Sequence, residues 1–137
     1  MRLFFDVNVV LDVLARREPW FEHSATVLSL LEAIDAEGYV AAHTVTTLSY
    51  LLSKHHGRER TAAALVGLLG LVRAVPVDHD RLLEALSLGW NDFEDAVQAV
   101  CALGISADYV ITRDSRSFAH LSIPVVSPGE LVAILSR

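Results

Sequence analysis

Cysteine, lysine and proline are scarce in this chain, and no long apolar run breaks its pattern. A single cysteine, Cys101, rules out an internal disulfide and fits a reducing compartment. Its setting, "AVCAL", reads as that of a small buried hydrophobe. Lys54 is the only lysine beside ten arginines, and 11 basic against 17 acidic residues leave a formal net charge of −6. That shortage of cations counts against a nucleic-acid partner, since phosphate affinity comes mostly from Lys and Arg. It does not exclude one, because acids gathered in a site would be offset by bound cations. No stretch approaches the roughly 18 to 20 apolar residues of a membrane helix. The opening "MRLFFDVNVV" is interrupted by an acid and followed by no small-residue cleavage site, so neither signal peptide nor anchor is expected. A cytoplasmic protein without membrane contact is the expectation.

What is present is a globular composition, 53% hydrophobic and 20% charged over 137 residues. Residues 1–137 read as one domain, without repeat, low-complexity tract or linker. Short apolar runs of strand length, "RLFF", "YVAA", "AVPVD", "YVIT" and "IPVVS", alternate with stretches of helical spacing. The predicted helices are "NVVLDVLARR", "EPWFEHSATVLSLLEAIDAEG" stopping at Gly38, "TVTTLSYLLSKHHG" stopping at Gly57, "RERTAAALVGLLGLV", "HDRLLEALSLG", "NDFEDAVQAVCALG" and "PGELVAILSR". Lys54, His55 and His56 suit the negative end of a helix dipole. Nearly wholly apolar strands alternating with helices predict an α/β fold, a three-layer α/β/α sandwich around a parallel sheet of about five strands.

In such sheets ligands bind beyond the carboxyl ends of the strands. Asp6 ends the first predicted strand, in the apolar setting "LFFDVNVVLD", and Asp114 follows "YVIT" by two residues. Asp92 and Asp95 open the helix "NDFEDAVQAV", three apart and so neighbours on one face. Together they would form a cluster of carboxylates whose mutual repulsion calls for a cation between them. Oxygen-only donors select hard ions, which points to Mg²⁺ or Mn²⁺. Each acid also has a plainer reading. Asp92, Glu94 and Asp95 suit a helix N-terminus, with Asn91 and Glu94 spaced as a capping box. Asp12 precedes Arg16 by four residues, the favoured order for a surface ion pair. Asn8 can cap a helix beginning at Val9, and Asp114 can cap a turn before "SRSF".

"FFDVNVVLDVL" and "DFEDAVQAVCALGISADYVITRDSRSF" together resemble the PIN-domain nucleases along essentially the whole chain. In that family a first strand ends in Asp-x-Asn, an Asp-Ala pair opens a helix, and a later strand runs into Thr-x-Asp near a Phe. The resemblance implies a metal-dependent ribonuclease using Mg²⁺ or Mn²⁺, with Asp6, Asp95 and Asp114 as metal-binding acids and Asp92 as a candidate fourth. It implies supporting roles for Asn8, Thr112 and Thr47, and substrate steering by Arg113 and Arg116. Many small members are toxins of VapC-type toxin–antitoxin pairs, so RNA, an antitoxin and a second copy of the chain are the expected partners. Two departures stand out. Thr47 occupies the position of the family's usual Glu, and Ser117 stands where relatives often carry an acid before the Phe matched by Phe118.

Rival readings come from other classes. A phosphoacceptor receiver domain resembles a pattern with a lysine near its last strand, and here the lysine lies mid-chain. A phosphomonoester hydrolase would want an Asp at Asn8. A PIN-like fold with weak or no catalysis, acting as a binding module, is the alternative that Thr47 keeps open.

Overall fold

The computed structural model describes residues 1–137. The strands β1 (Arg2–Phe5), β2 (Glu37–Ala41), β3 (Val72–Val75), β4 (Tyr109–Ile111) and β5 (Val125–Val126) form one five-stranded sheet. Its order is β3-β2-β1-β4-β5 and every pairing is parallel. The strand nearest the start of the chain is therefore the central one. The helices are α1 (Val7–Leu14), α2 (Phe21–Ala33), α3 (Ala42–Leu71), α4 (His79–Ser87), α5 (Phe93–Gly104) and α6 (Pro128–Leu135), with a 3₁₀ turn at Ser115–Phe118. No helix is long and apolar enough to cross a membrane.

Period-two alternation along the strands builds two cores. Leu3 and Phe5 of β1 face one cluster with Val9, Val10, Val27, Leu48 and Leu131, drawn from α1, α2, α3 and α6. Phe4, between them, faces the other cluster with Ala96, Val100, Cys101 and Phe118, mostly from α5. Phe4 and Phe5 are both fully buried, each worth about 2–3 kcal/mol of apolar transfer. The result is the expected three-layer α/β/α sandwich, and Cys101 is buried within it as expected.

Of the boundaries that differ from expectation, three have a clear physical reason. The second helix ends at Ala33, and Gly38 lies inside β2 instead of stopping it. A Cβ at Gly38 would meet Leu31 Cδ1 at 2.7 Å and Val72 Cγ1 at 2.9 Å, so close packing of α2 on the sheet explains the glycine. The two helices expected on either side of Gly57 abut as α3, with Gly57 itself non-helical (φ 74°, ψ 169°). The first helix begins at Val7, one residue after Asp6, so Asn8 sits exposed in its first turn and does not cap it.

Candidate active site

The strand order sets Asp6 beside β4. The Asp6 amide continues the β1–β4 ladder by donating to the Ile111 carbonyl at 3.0 Å, which brings the β4 exit, Thr112 to Asp114, alongside. Asp6 is only 4% exposed, and both carboxylate oxygens are occupied by neutral donors. Thr112 Oγ1 donates to its Oδ2 at 2.8 Å and Gln98 Nε2 to its Oδ1 at 3.1 Å.

These donors also reach the other acids. Gln98 Nε2 lies 3.5 Å from Asp95 Oδ1, one turn back along α5. Thr112 Oγ1 accepts from the Asp114 amide at 3.1 Å. Ser117 Oγ donates to Asp114 Oδ2 at 3.1 Å and lies against the Asp95 carboxyl as well. Asp6, Asp95 and Asp114 are thus corners of a triangle whose sides are Gln98, Thr112 and Ser117. No arginine or lysine forms an ion pair with any of the three. Burial, followed by the charges of Asp92, Asp6 and Glu94, pushes the Asp95 pKa up to about 6.

The ordering of the surrounding loops follows from simple caps. Asp92, and not Asn91, caps α5, accepting from the Asp95 amide at 3.0 Å, so the expected capping box with Glu94 is replaced. Asp114 caps the 3₁₀ turn through the Arg116 amide at 3.2 Å, which shows that its turn role and its place in the cluster coexist. Phe118 anchors that turn, 1% exposed and edge-on to Trp90 with centroids 6.1 Å apart. Asp92, Asp95, Arg116, Ser117, Trp90 and His120 line an open cleft of about 630 Å³ along this edge.

Can these residues hold a divalent cation? No three Asp, Glu, His or Cys side chains stand close enough to form a finished cage. The donor set nevertheless suits a hard ion: it is all oxygen, like-charged and oriented by groups that leave its charge uncancelled. The raised Asp95 pKa comes first from burial and then from the neighbouring carboxylates, whose repulsion no basic side chain relieves.

Three residues singled out from the sequence stand outside the cluster. Arg113 is not free to steer substrate: its Nε contacts Asp12 Oδ2 at 2.8 Å, and its guanidinium lies 3.8 Å from the Trp20 ring centre. Asp12 is not on the helix surface with Arg16 but fully buried, with Arg17 Nε on its other oxygen at 2.9 Å. The cause is local. Arg16 takes a left-handed backbone (φ 51°) just past α1, which turns it outward and lets Arg17 reach back. Thr47 is half-buried on α3 and makes no side-chain hydrogen bond with any neighbour.

Two residues were not singled out from sequence. Gln98 is fully buried; besides donating from Nε2 toward the two acids, it accepts at Oε1 from the Val7 amide at 3.2 Å, capping α1 in place of Asn8. Its signal was a lone amide on the apolar face of "DAVQAVC", three residues after Asp95. His43, in the first turn of α3, has both ring nitrogens buried without partners; burial pushes its pKa down, opposed by the charge of Glu94.

Comparisons with known proteins agree with this architecture. A family model described as a PIN domain matches residues 2–116. Ribonuclease VapC1 of Aquifex aeolicus is 22% identical over 134 residues, covering 94% of this chain and 92% of its own. Among solved structures, VapBC-1 from nontypeable Haemophilus influenzae superposes with a TM-score of 0.72 at 13% identity, covering 94% of this chain and 99% of that one. Mycobacterium tuberculosis VapC20, described as a sarcin-ricin loop cleaving toxin, gives 0.69 at 15% identity over 85% and 93%. At these identities the structural likeness speaks for the fold.

Proposed function

Since this chain belongs to the PIN-domain family, we propose that it is an endoribonuclease of the VapC type, hydrolysing RNA phosphodiester bonds at the Asp6–Asp95–Asp114 cluster with Mg²⁺ or Mn²⁺. The observation that carries this reading is the triangle itself, three carboxylates held together by Gln98, Thr112 and Ser117 with no basic side chain to neutralise them.

A bound divalent ion supplies Lewis acidity at the scissile phosphate and a more acidic water. Asp6, Asp95 and Asp114 would hold it, with Asp92 at the rim as a further donor. Thr112 and Gln98 fix the Asp6 carboxylate so that its lone pairs need no reorganisation on loading. Asp95, with its pKa near 6, releases its proton on loading, which couples binding to pH. Arg116, exposed on the cleft wall, is the steering cation, since Arg113 is paired with Asp12. Asn8 is left no capping role and faces solvent in the first turn of α1.

An antitoxin as protein partner follows from the same reading, as does a homodimer. A solved neighbour from Klebsiella pneumoniae is described as a toxin–antitoxin complex, and Trp20 and Tyr50, 41% and 65% exposed, offer apolar surface suited to a protein partner.

A second reading, a PIN fold that binds without cutting, draws on Thr47 in place of the usual Glu and on the unfinished cage. One experiment separates the two. RNA cleavage is followed with Mg²⁺ or Mn²⁺ for the wild type and Asp6→Asn, alongside thermal unfolding with Mn²⁺. The nuclease reading expects cleavage and an ion-dependent rise in Tm from the wild type alone. Equal cleavage by both proteins would refute the assignment, and a wild type that neither cuts nor gains stability favours the binding module.

A further inference from the structure

The break in α3 creates a second polar feature, away from the carboxylates. Because Gly57 leaves helical geometry, residues 58–71 start a new helix, whose first amides have no partners within it and whose positive dipole end faces the break. Beside this break lies a pocket of about 190 Å³ lined by Arg16, His56, Arg60 and Thr61 over an apolar floor that includes Leu14 and Leu52. No acidic residue lines it. Thr61 is 3% exposed and its hydroxyl has no hydrogen-bond partner, although it forms part of the wall. Arg16 reaches the pocket by way of its left-handed backbone, an arrangement that arginine adopts at a cost in strain.

We propose that this pocket binds a phosphate group. Two permanent cations, an imidazole, a fresh helix N-terminus and a buried unpartnered hydroxyl are all suited to oxyanion oxygens. The absence of any carboxylate leaves their charge available. The volume is below the roughly 300 Å³ at which pockets for drug-sized ligands begin, so the occupant is a single small anionic group and not a whole nucleotide. Asp6 and Arg16 lie beyond opposite ends of α1, whose eight residues span about 12 Å at 1.5 Å per residue, so the site is distinct from the catalytic cluster. The phosphate can belong to an RNA backbone or to a small phosphorylated compound.

Inorganic phosphate is the probe, titrated at constant ionic strength against chloride, with backbone amide NMR of the full chain as readout. The amides of Arg58 to Thr61 should shift saturably. Arg60→Gln, an exposed substitution, should weaken the response about tenfold, and the near-isosteric Thr61→Val about fivefold. No saturable shift in the wild type, or unchanged affinity in Arg60→Gln, overturns the site. The source is read in the non-cleaving Asp6→Asn background. If RNA supplies the phosphate, adding Arg60→Gln lowers the salt slope of RNA binding by about one. An unchanged slope with weakened phosphate binding assigns the pocket to a free phosphorylated compound. A wild type that does not cleave RNA while its phosphate response is intact would count against the nuclease reading and leave this one standing.

Discussion

Two aspartates of one short segment, Asp6 and Asp12, are both buried, and their environments are opposite. Asp6 is held by a threonine and a glutamine, neutral donors that orient it and leave its charge in place. Asp12 is held by two guanidiniums, Arg17 and Arg113, that balance it. Even so, burial outweighs the arginines and keeps the Asp12 carboxyl above the usual range. The lesson is that burial of an acid does not by itself mark a site. The character of its partners does, because neutral donors preserve a charge for use and cations spend it on structure.

The sharpest way to test that contrast is to remove each acid in turn. Asp12→Ala leaves Arg113 and Arg17 without their counter-ion beneath Trp20, and stability should drop by about 3 kcal/mol in urea unfolding, near the low end for a broken buried pair because both arginines retain some water. Cleavage by the protein that remains folded should persist. Asp6→Asn should do the reverse. Turnover falls about a hundredfold or more with loss of Mn²⁺ binding by calorimetry, while the urea midpoint stays close to that of the wild type. Should Asp12→Ala abolish ion binding without unfolding the protein, the division between the two acids fails.

A smaller effect comes from the support. Gln98→Leu removes a donor shared by Asp6 and Asp95 and uncaps the Val7 amide, so ion affinity should weaken about tenfold, with Thr112→Val similar in direction. Unchanged affinity in Gln98→Leu would reduce it to a helix cap.

Acidity probes the uncancelled charge directly. The Asp95 pKa is raised when folded, from the ordinary 3.8 to about 6, so the folded protein holds an extra proton between those values. In EDTA, stability should therefore decline as pH rises through that window, and ion affinity should climb over the same interval. Asp95→Asn should flatten both. A metal-free stability that rises from pH 4 to 6 in the wild type, yet not in the variant, would contradict the assignment. The smallest change expected is at Arg116, where Ala should lower the salt slope of RNA binding by about one unit. A slope equal to that of the wild type removes its steering role.

Much of the fold and the three acids were legible in the sequence because both rest on local signals: apolar runs, turn residues, and acids at strand ends. The rules that misled were also local. The four-residue spacing of Asp12 and Arg16 assumes a helix that continues, and the left-handed turn at Arg16 ends it. Arg113 reaches Asp12 only because β4 pairs with β1, a contact that neighbouring residues cannot signal. Gln98 looked like a polar intrusion on an apolar face until Asp6 and Val7 were set against it.

The central position of β1 has a consequence for synthesis. Asp6 leaves the ribosome early, but its neighbours in the sheet arrive far apart, β2 at Glu37 and β4 only at Tyr109. Thr112, Asp114 and Ser117 come after that. A growing or prematurely ended chain that has not reached Asp114 holds two corners of the triangle at most. A chain that cuts RNA from such a layout stays harmless to the message being read while most of it is being made.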